Sequence, residues 1–319
     1  MGTFAEITAY APDAATAARA LDAAYARLDD VNRLMSDYVD DSEIGRLNAQ
    51  QPNTPLVLSA ETFTCLSRAA EISALSGGAF DVTCRPLVWL WKQAGAENKL
   101  PTDSQLADTL ARVGWQKLLL DPATHAATLT VSNMQVDLGG IAKGYSLDLA
   151  AAALVAAGAE SGLVNVGGDV VAVGTRPEGL PWRIGLQDPF GEGTVYTLEL
   201  VDCAVATSGV QQRFSVIEGR RYSHIVDPRS GYPAEQAPCV TVIAADGLTA
   251  DAWATVFSVL TVAEGQALIA AGNLPRMEVC WISRQAAQVD IQQTPGFKSY
   301  IAAEPDTPTS RESARQHTP

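Results

Sequence analysis

Asp137-Leu-Gly-Gly-Ile-Ala-Lys-Gly-Tyr-Ser-Leu-Asp148 joins a short apolar run ending in an acid to paired glycines, and then, through a lysine, to an alanine-rich segment. That order reads as strand, turn and helix start. Gly139 and Gly140 permit close backbone approach, and a helix start offers unpaired N–H groups and the positive end of a dipole, so the segment suits an anion. Its spacing is neither that of a Rossmann turn nor that of a P-loop, so neither mechanism transfers. Taken alone, a strand-to-helix turn with a solvated lysine explains it equally well.

Outward from this stretch, helical and strand patterns mix without strict alternation. Towards the N-terminus, residues 3–10 alternate like a strand. Pro12 and Asp13 then start a helix to about Leu34, with Ala20, Ala24, Leu28, Val31 and Leu34 at helical spacing. Residues 35–42 form a polar loop. Ser59 caps a helix over 60–76 that Gly77 and Gly78 stop, leaving Phe80 and Asp81 in a loop. Pro86 starts a short aromatic helix over 87–93, and Thr102 with Gln105 forms a capping box for a helix ending near Gly114.

Strands are expected at 116–120, 127–131 and 135–138, followed by a helix over 144–157. Further strands are expected at 162–166, 170–174, 182–187, 194–201, 203–207, 213–217, 221–226 and 239–245. Helices at 250–260 and 262–271 and strands near 276–283 and 287–291 complete the pattern. The stretch 303–319 is polar and aperiodic, and reads as a disordered tail after a domain spanning 1–302. The mixture favours an α+β fold.

The chain has 319 residues, 47% of them hydrophobic, enough for a large core. Its formal charge of -14 argues against sequence-independent binding to nucleic acid or to anionic membrane, both of which need basic surface. A phosphate-bearing ligand therefore needs a local cationic pocket or a metal. The five cysteines are scattered without a C-x-x-C pair, indicating neither a zinc site nor a disulfide framework. The sequence holds no recognisable leader and no apolar run of bilayer length.

Several segments carry groups capable of chemistry. His224, in Tyr222-Ser-His-Ile-Val-Asp-Pro-Arg-Ser-Gly-Tyr-Pro233, stands at a strand end before a turn and is the best proton-transfer candidate of three histidines. A strand histidine bonded to a neighbouring carbonyl is the commoner case. Asp251 and Thr255 share a helix face, a carboxylate and a hydroxyl of the kind magnesium takes. Capping by Asp251 and back-bonding by Thr255 also fit. Phe80 and Asp81 could offer a ring and a carboxylate to a planar ligand, or simply follow a helix end as core and turn. Asn165-Val-Gly-Gly-Asp169 repeats the paired glycines, and a tight turn explains it equally well.

In order along the chain, these segments resemble the ApbE family of FAD:protein FMN transferases. The resemblance is carried by Met1-Gly-Thr3, Met35-Ser-Asp-Tyr38, Gly78-Ala-Phe-Asp-Val-Thr83 with Pro86-Leu87 and Leu90-Trp91, Asp137 to Gly144, Val166-Gly-Gly-Asp169, Thr207-Ser-Gly209, His224 to Pro228, and Ala250-Asp251 with Thr255. It implies a T-fold-like α+β architecture with mixed or antiparallel sheets and a ligand cleft. It further implies transfer of FMN from FAD to a Thr or Ser of an acceptor protein, with magnesium assisting and AMP leaving. By the same resemblance Met1, Tyr38, Ala79, Phe80, Asp81, Asp137, Lys143 and Val226 line the FAD site. Asp251, Thr255 and main-chain oxygens of Gly140 and Ala254 hold the metal, and His224 is the catalytic residue. Hydrolysis of FAD to FMN and AMP and non-catalytic flavin carriage are the alternatives.

Three positions depart from the family pattern. Arg85 and Lys92 stand where the family usually has glycine, and Trp89 replaces a common asparagine, altering the shape or charge of the flavin-side pocket. The chain begins at the family's internal Met-Gly-Thr. Because family members are usually exported or lipid-anchored, the resemblance implies a periplasmic or cell-envelope location.

Overall fold

A computed structural model describes residues 2–209, 214–234, 239–285 and 288–303; Met1 and the tail 304–319 lie outside them. The chain starts with β1 (Ala5–Tyr10) and the long helix α1 (Ala14–Met35), whose first turn is capped by the Asp13 carboxylate. The short α2 (Glu43–Asn48) and β2 (Leu56–Val57) lead to α3 (Ala60–Leu75), α4 (Arg85–Glu97) and α5 (Asp103–Leu110). The small strands β3 (Leu118–Asp121) and β4 (Ala126–Leu129) precede α6 (Ala142–Ala156). The remaining elements are β5 (Ser161–Val166), β6 (Asp169–Val173), β7 (Trp182–Gln187), β8 (Thr194–Leu200), β9 (Cys203–Ser208), β10 (Phe214–Ile217), β11 (Arg220–Ser223), β12 (Cys239–Ala244), α7 (Gly247–Val259), α8 (Val262–Ala270), β13 (Met277–Gln285) and β14 (Gln288–Gln293).

Seven strands form one sheet in the order β1-β5-β6-β9-β12-β13-β14, every neighbour pair antiparallel. Alternation along the strands divides the sheet into two buried faces. Val171, Ala204, Ala206, Val240 and Val242 face a helical layer, where Ala20 and Leu28 of α1, Leu154 of α6 and Trp253 and Phe257 of α7 complete the main core. Val170, Ala172, Val205 and Ile243 face the other way, onto Trp182 and Leu186 of β7, Leu198 and Leu200 of β8, and Phe297. A third cluster joins Leu87, Trp91 and Ala94 of α4 to Leu106, Ile217, Tyr222 and Val226, fixing the β10–β11 hairpin to α4 and α5. The fold is α+β with antiparallel sheets, as the mixed pattern implies. Among the described residues no helix is long and apolar enough to cross a membrane.

Several boundaries differ from the sequence reading for identifiable reasons. The expected strand over 135–138 makes only an isolated bridge, Gln135 with Cys84, because Val136 N–H and C=O are both taken by the Asn48 side chain. The polar loop ends in α2, six residues long, which Ser42 caps through Gly45 N–H. The strand expected to run to 226 stops at Ser223. Val226 instead bridges to Pro233 across the Asp227–Gly231 turn. Helix α5 ends at Leu110, and the last helix pair begins earlier, at Gly247, because Asp246 rather than a later residue supplies the N-cap.

Candidate functional site

The quoted stretch ends in a helix that crosses α7 at a point with no room for side chains. A Cβ on Gly144 would stand 2.0 Å from the Gly247 carbonyl oxygen, and one on Gly247 would stand 2.6 Å from the Gly144 carbonyl oxygen. Each helix also caps the other. The Gly144 N–H donates to the Asp251 carboxylate of α7 at 2.9 Å. In return, the Gly247 and Leu248 N–H groups donate to the two oxygens of Asp148 of α6 at 2.6 and 2.9 Å. The orphan N–H groups expected at a helix start are thus partly satisfied by a carboxylate from the facing helix.

That exchange places Asp251 beside Lys143. The Lys143 ammonium bonds the Asp169 carboxylate and lies 3.4 Å from Asp251 Oδ1. Asp169, 2% exposed at the start of β6, also accepts from the Thr207 N–H of β9 at 3.0 Å. Burial alone pulls the Lys143 ammonium down, but Asp251 and Asp169 outweigh it and hold its pKa above the ordinary lysine value. Burial raises the Asp169 carboxyl above the usual range, the nearby Asp251 charge adds to this, and Lys143 offsets part of it. Lys143 is therefore a half-buried, paired cation, not the solvated lysine that the isolated motif allows.

One turn further along α7, Thr255 meets the glycine turn. A Cβ on Gly140 would lie 3.1 Å from Thr255 Oγ1 and 3.2 Å from the Phe80 ring. Gly144 faces Asp251 and Gly140 faces Thr255, so the turn and helix start meet α7 at two positions four residues apart, on one face of that helix. Ala254 is buried beside them on α7. These donors are all oxygens: one carboxylate, one hydroxyl and main-chain carbonyls. They fit a hard divalent cation, and Asp251 already faces a cationic group. Among the described residues no three or more His, Cys, Asp or Glu side chains converge on a metal position.

Phe80 is 4% exposed and belongs to the main core, so its ring forms a wall against Gly140 in place of the open stacking face expected. Ala79 is buried next to it. Asp81 is engaged by the chain itself. One oxygen accepts from Thr83 N–H at 2.7 Å and Thr83 Oγ1 at 2.6 Å, the other from Trp115 N–H at 2.8 Å. The expected direct hydrogen bonding of Asp81 to a ligand therefore competes with three protein donors. Burial raises its carboxyl pKa against those bonds. Asp137 is half-buried, takes the Gly139 N–H at 2.7 Å and joins Val82 through its own N–H. Tyr38 is 79% exposed in the loop after α1.

His224 is exposed just beyond β11, and Val226 is buried in the α4–α5 cluster two residues later. The turn behind them is held by the Trp91 indole, which donates to the Gly231 carbonyl at 2.8 Å. A Cβ on Gly78 would touch Arg229 at 3.7 Å, so this turn lies beside the Gly77–Gly78 helix stop. The segments carrying Phe80, Asp81, Val226 and His224 are thereby neighbours. Met1 lies outside the described residues.

Sequence reasoning did not assign Asp148 or Asp169 a role. Asp148 was within the quoted stretch but looked like an ordinary polar helix position. Asp169 ends a glycine pair that a turn explains.

The fold and this cluster define an α+β protein in which two helices, joined by reciprocal carboxylate caps, hold a lysine and oxygen donors against a glycine turn. The ApbE family profile matches residues 1–281, and the chain belongs to that family. It is 37% identical over 242 residues to the FAD:protein FMN transferase of Haemophilus influenzae, covering 73% of this chain and 70% of that one. It is 33% identical over 282 residues to the enzyme of the same name from Vibrio cholerae, covering 86% and 80%. A solved structure of the Vibrio cholerae flavin transferase ApbE superposes with a TM-score of 0.81 at 31% identity, covering 94% of this chain and 96% of that one.

Proposed function

We propose that this chain transfers FMN from FAD to the hydroxyl of a Thr or Ser side chain of an acceptor protein, releasing AMP. The reading is carried by the alignment of Gly140 and Gly144 against Thr255 and Asp251, with Lys143 held beside Asp251. The acceptor oxygen forms a bond to the FMN phosphorus. The bond from that phosphorus to the bridging oxygen breaks, and that oxygen leaves with AMP. Asp251, Thr255 and the carbonyls of Gly140 and Ala254 would hold a magnesium ion, which would supply positive charge at the pyrophosphate.

The chain's own groups complete the arrangement. Lys143 adds a second cation, kept charged by Asp169 and Asp251. Asp137 and Tyr38 contact the flavin nucleotide, while Phe80 backs the glycine turn. His224 takes the proton from the acceptor hydroxyl, its exposure leaving it reachable by a protein substrate. Incubation with FAD, magnesium and a protein carrying a flavinylation motif should add one FMN mass to a Thr or Ser and release AMP. Absence of both products in the presence of metal would overturn the reading. Free FMN formed at the same rate without acceptor would assign water as the nucleophile.

A further inference from the structure

Arg85, the first residue of α4, sits in a poor place for a cation. The positive end of a helix repels it, and its preceding residue Cys84 supplies no side-chain cap. The helix gains nothing electrostatic from this arginine. Its guanidinium instead spans two separate segments. Nε donates to Asp37 Oδ2 at 2.8 Å and Nη2 to the Asp37 carbonyl at 3.1 Å, while Nη1 donates to Gln135 Oε1 at 2.8 Å. The Arg85 and Asp37 side chains are 12% and 11% exposed, so solvent screens the pair weakly. Trp89, one helical turn on, lies 5.5 Å from the guanidinium carbon and packs beside it.

Both ends of this bridge adjoin residues read above as flavin contacts. The Asp37 carbonyl belongs to the peptide bond that leads into Tyr38, an exposed side chain on a loop. Gln135 lies two residues before Asp137. Burial raises the Asp137 carboxyl and the Asp37 charge raises it further; the Gly139 hydrogen bond and Arg85 act against both. Without Arg85, the Asp37 charge acts on Asp137 against the Gly139 hydrogen bond alone, and Asp37 loses its only described ionic partner.

We propose that Arg85 is a positioning residue for flavin binding: it clamps the Asp37–Tyr38 peptide to the Gln135–Asp137 segment, so that the segments carrying Tyr38 and Asp137 are already set relative to each other before the ligand arrives. Arg85 does not touch the reacting atoms. A lysine cannot replace it, because one ammonium cannot span three acceptors set in a planar fork. The inference rests on the flavin-site reading of Tyr38 and Asp137.

The test uses the full chain and the variants Arg85→Ala, Arg85→Lys, Asp37→Asn and the double Arg85→Ala/Asp37→Asn. Arg85→Ala should raise the FAD dissociation constant and KM about tenfold, with kcat at saturating FAD within about twofold, the signature of lost preorganisation in ligand binding. Arg85→Lys should recover less than half of the loss on a logarithmic scale, and the double variant should bind FAD no worse than Arg85→Ala. Asp37→Asn, which keeps side-chain and main-chain oxygens, is the milder variant and should weaken FAD about threefold. Unchanged FAD affinity in Arg85→Ala and Asp37→Asn, or full rescue by lysine, would overturn the clamp while leaving the transferase reading intact. Failure of the unmodified chain to bind FAD would sink the reading on which it rests.

Discussion

The α6–α7 crossing and the exposed segments around it are built in opposite ways. At the crossing, Lys143, Asp169, Asp251 and Asp148 are held by partners within the chain, and glycines bring two backbones into contact. Around it, Tyr38 and His224 stand on a loop and just past a strand end, with exposed side chains. The contrast separates two physical tasks. On the proposed transferase reading, charges that must not reorganise during phosphate chemistry are held in a network of partners, whereas groups that meet two large substrates in turn need the access that exposure provides.

The comparison breaks most completely at the helix crossing. Gly144→Ala would drive a methyl into the Gly247 carbonyl, 2.0 Å away, and backbone on both sides has no flexible end to yield. The expected outcome is a loss of about 4 kcal/mol or more, seen as failure to give a cooperative urea unfolding transition. A stability within about 1 kcal/mol of the unmodified chain would show that the helices can separate there without cost.

His224→Ala probes the exposed side. On the proposed role of His224 as the base for the acceptor hydroxyl, its removal should lower acceptor flavinylation by about 100-fold or more while FAD affinity and urea midpoint stay nearly constant. The readout is the time course of acceptor mass increase beside a direct FAD titration. Normal turnover would transfer the proton to another group.

The smallest effect sharpens the crossing electrostatically. Burial, with Asp246 and Asp251 nearby, pushes the Asp148 carboxyl up to about 6 although Leu248 and Gly247 N–H groups oppose it. A raised carboxyl contributes stability that is fully present below its ordinary value near 3.8 and is lost as pH rises through about 6. Between pH 4 and pH 7 this group should therefore withdraw about 2 kcal/mol. Asp148→Asn should flatten that part of the unfolding free energy against pH; an identical slope in the variant would remove Asp148 as its source.

Much of the architecture was legible because it is local. Ser59, the Thr102–Gln105 box and the Gly77–Gly78 stop announced helix ends that the structure reproduces. Short apolar runs mark β5, β6, β9 and β12, because a sheet covered on both faces buries successive residues of its strands. The 135–138 segment misleads because it alternates like a strand, but Asn48 takes the hydrogen bonds a ladder would have used. The site was legible as an ordered set of motifs and illegible as a set of contacts. Nothing within 137–148 says that Lys143 will be paired with two acids distant in sequence.

By itself, then, the sequence determined the α+β mixture, the caps and turns, and the family to which the chain belongs, because each depends on spacing within one segment or on the order of segments. Only the tertiary structure decided that Asp251 caps α6 and not its own helix, that Asp169 holds Lys143, and that Arg85 ties Asp37 to Gln135. Those are pairings across 107, 26 and about 50 residues of chain, and their energies exist only after the core has brought the segments together.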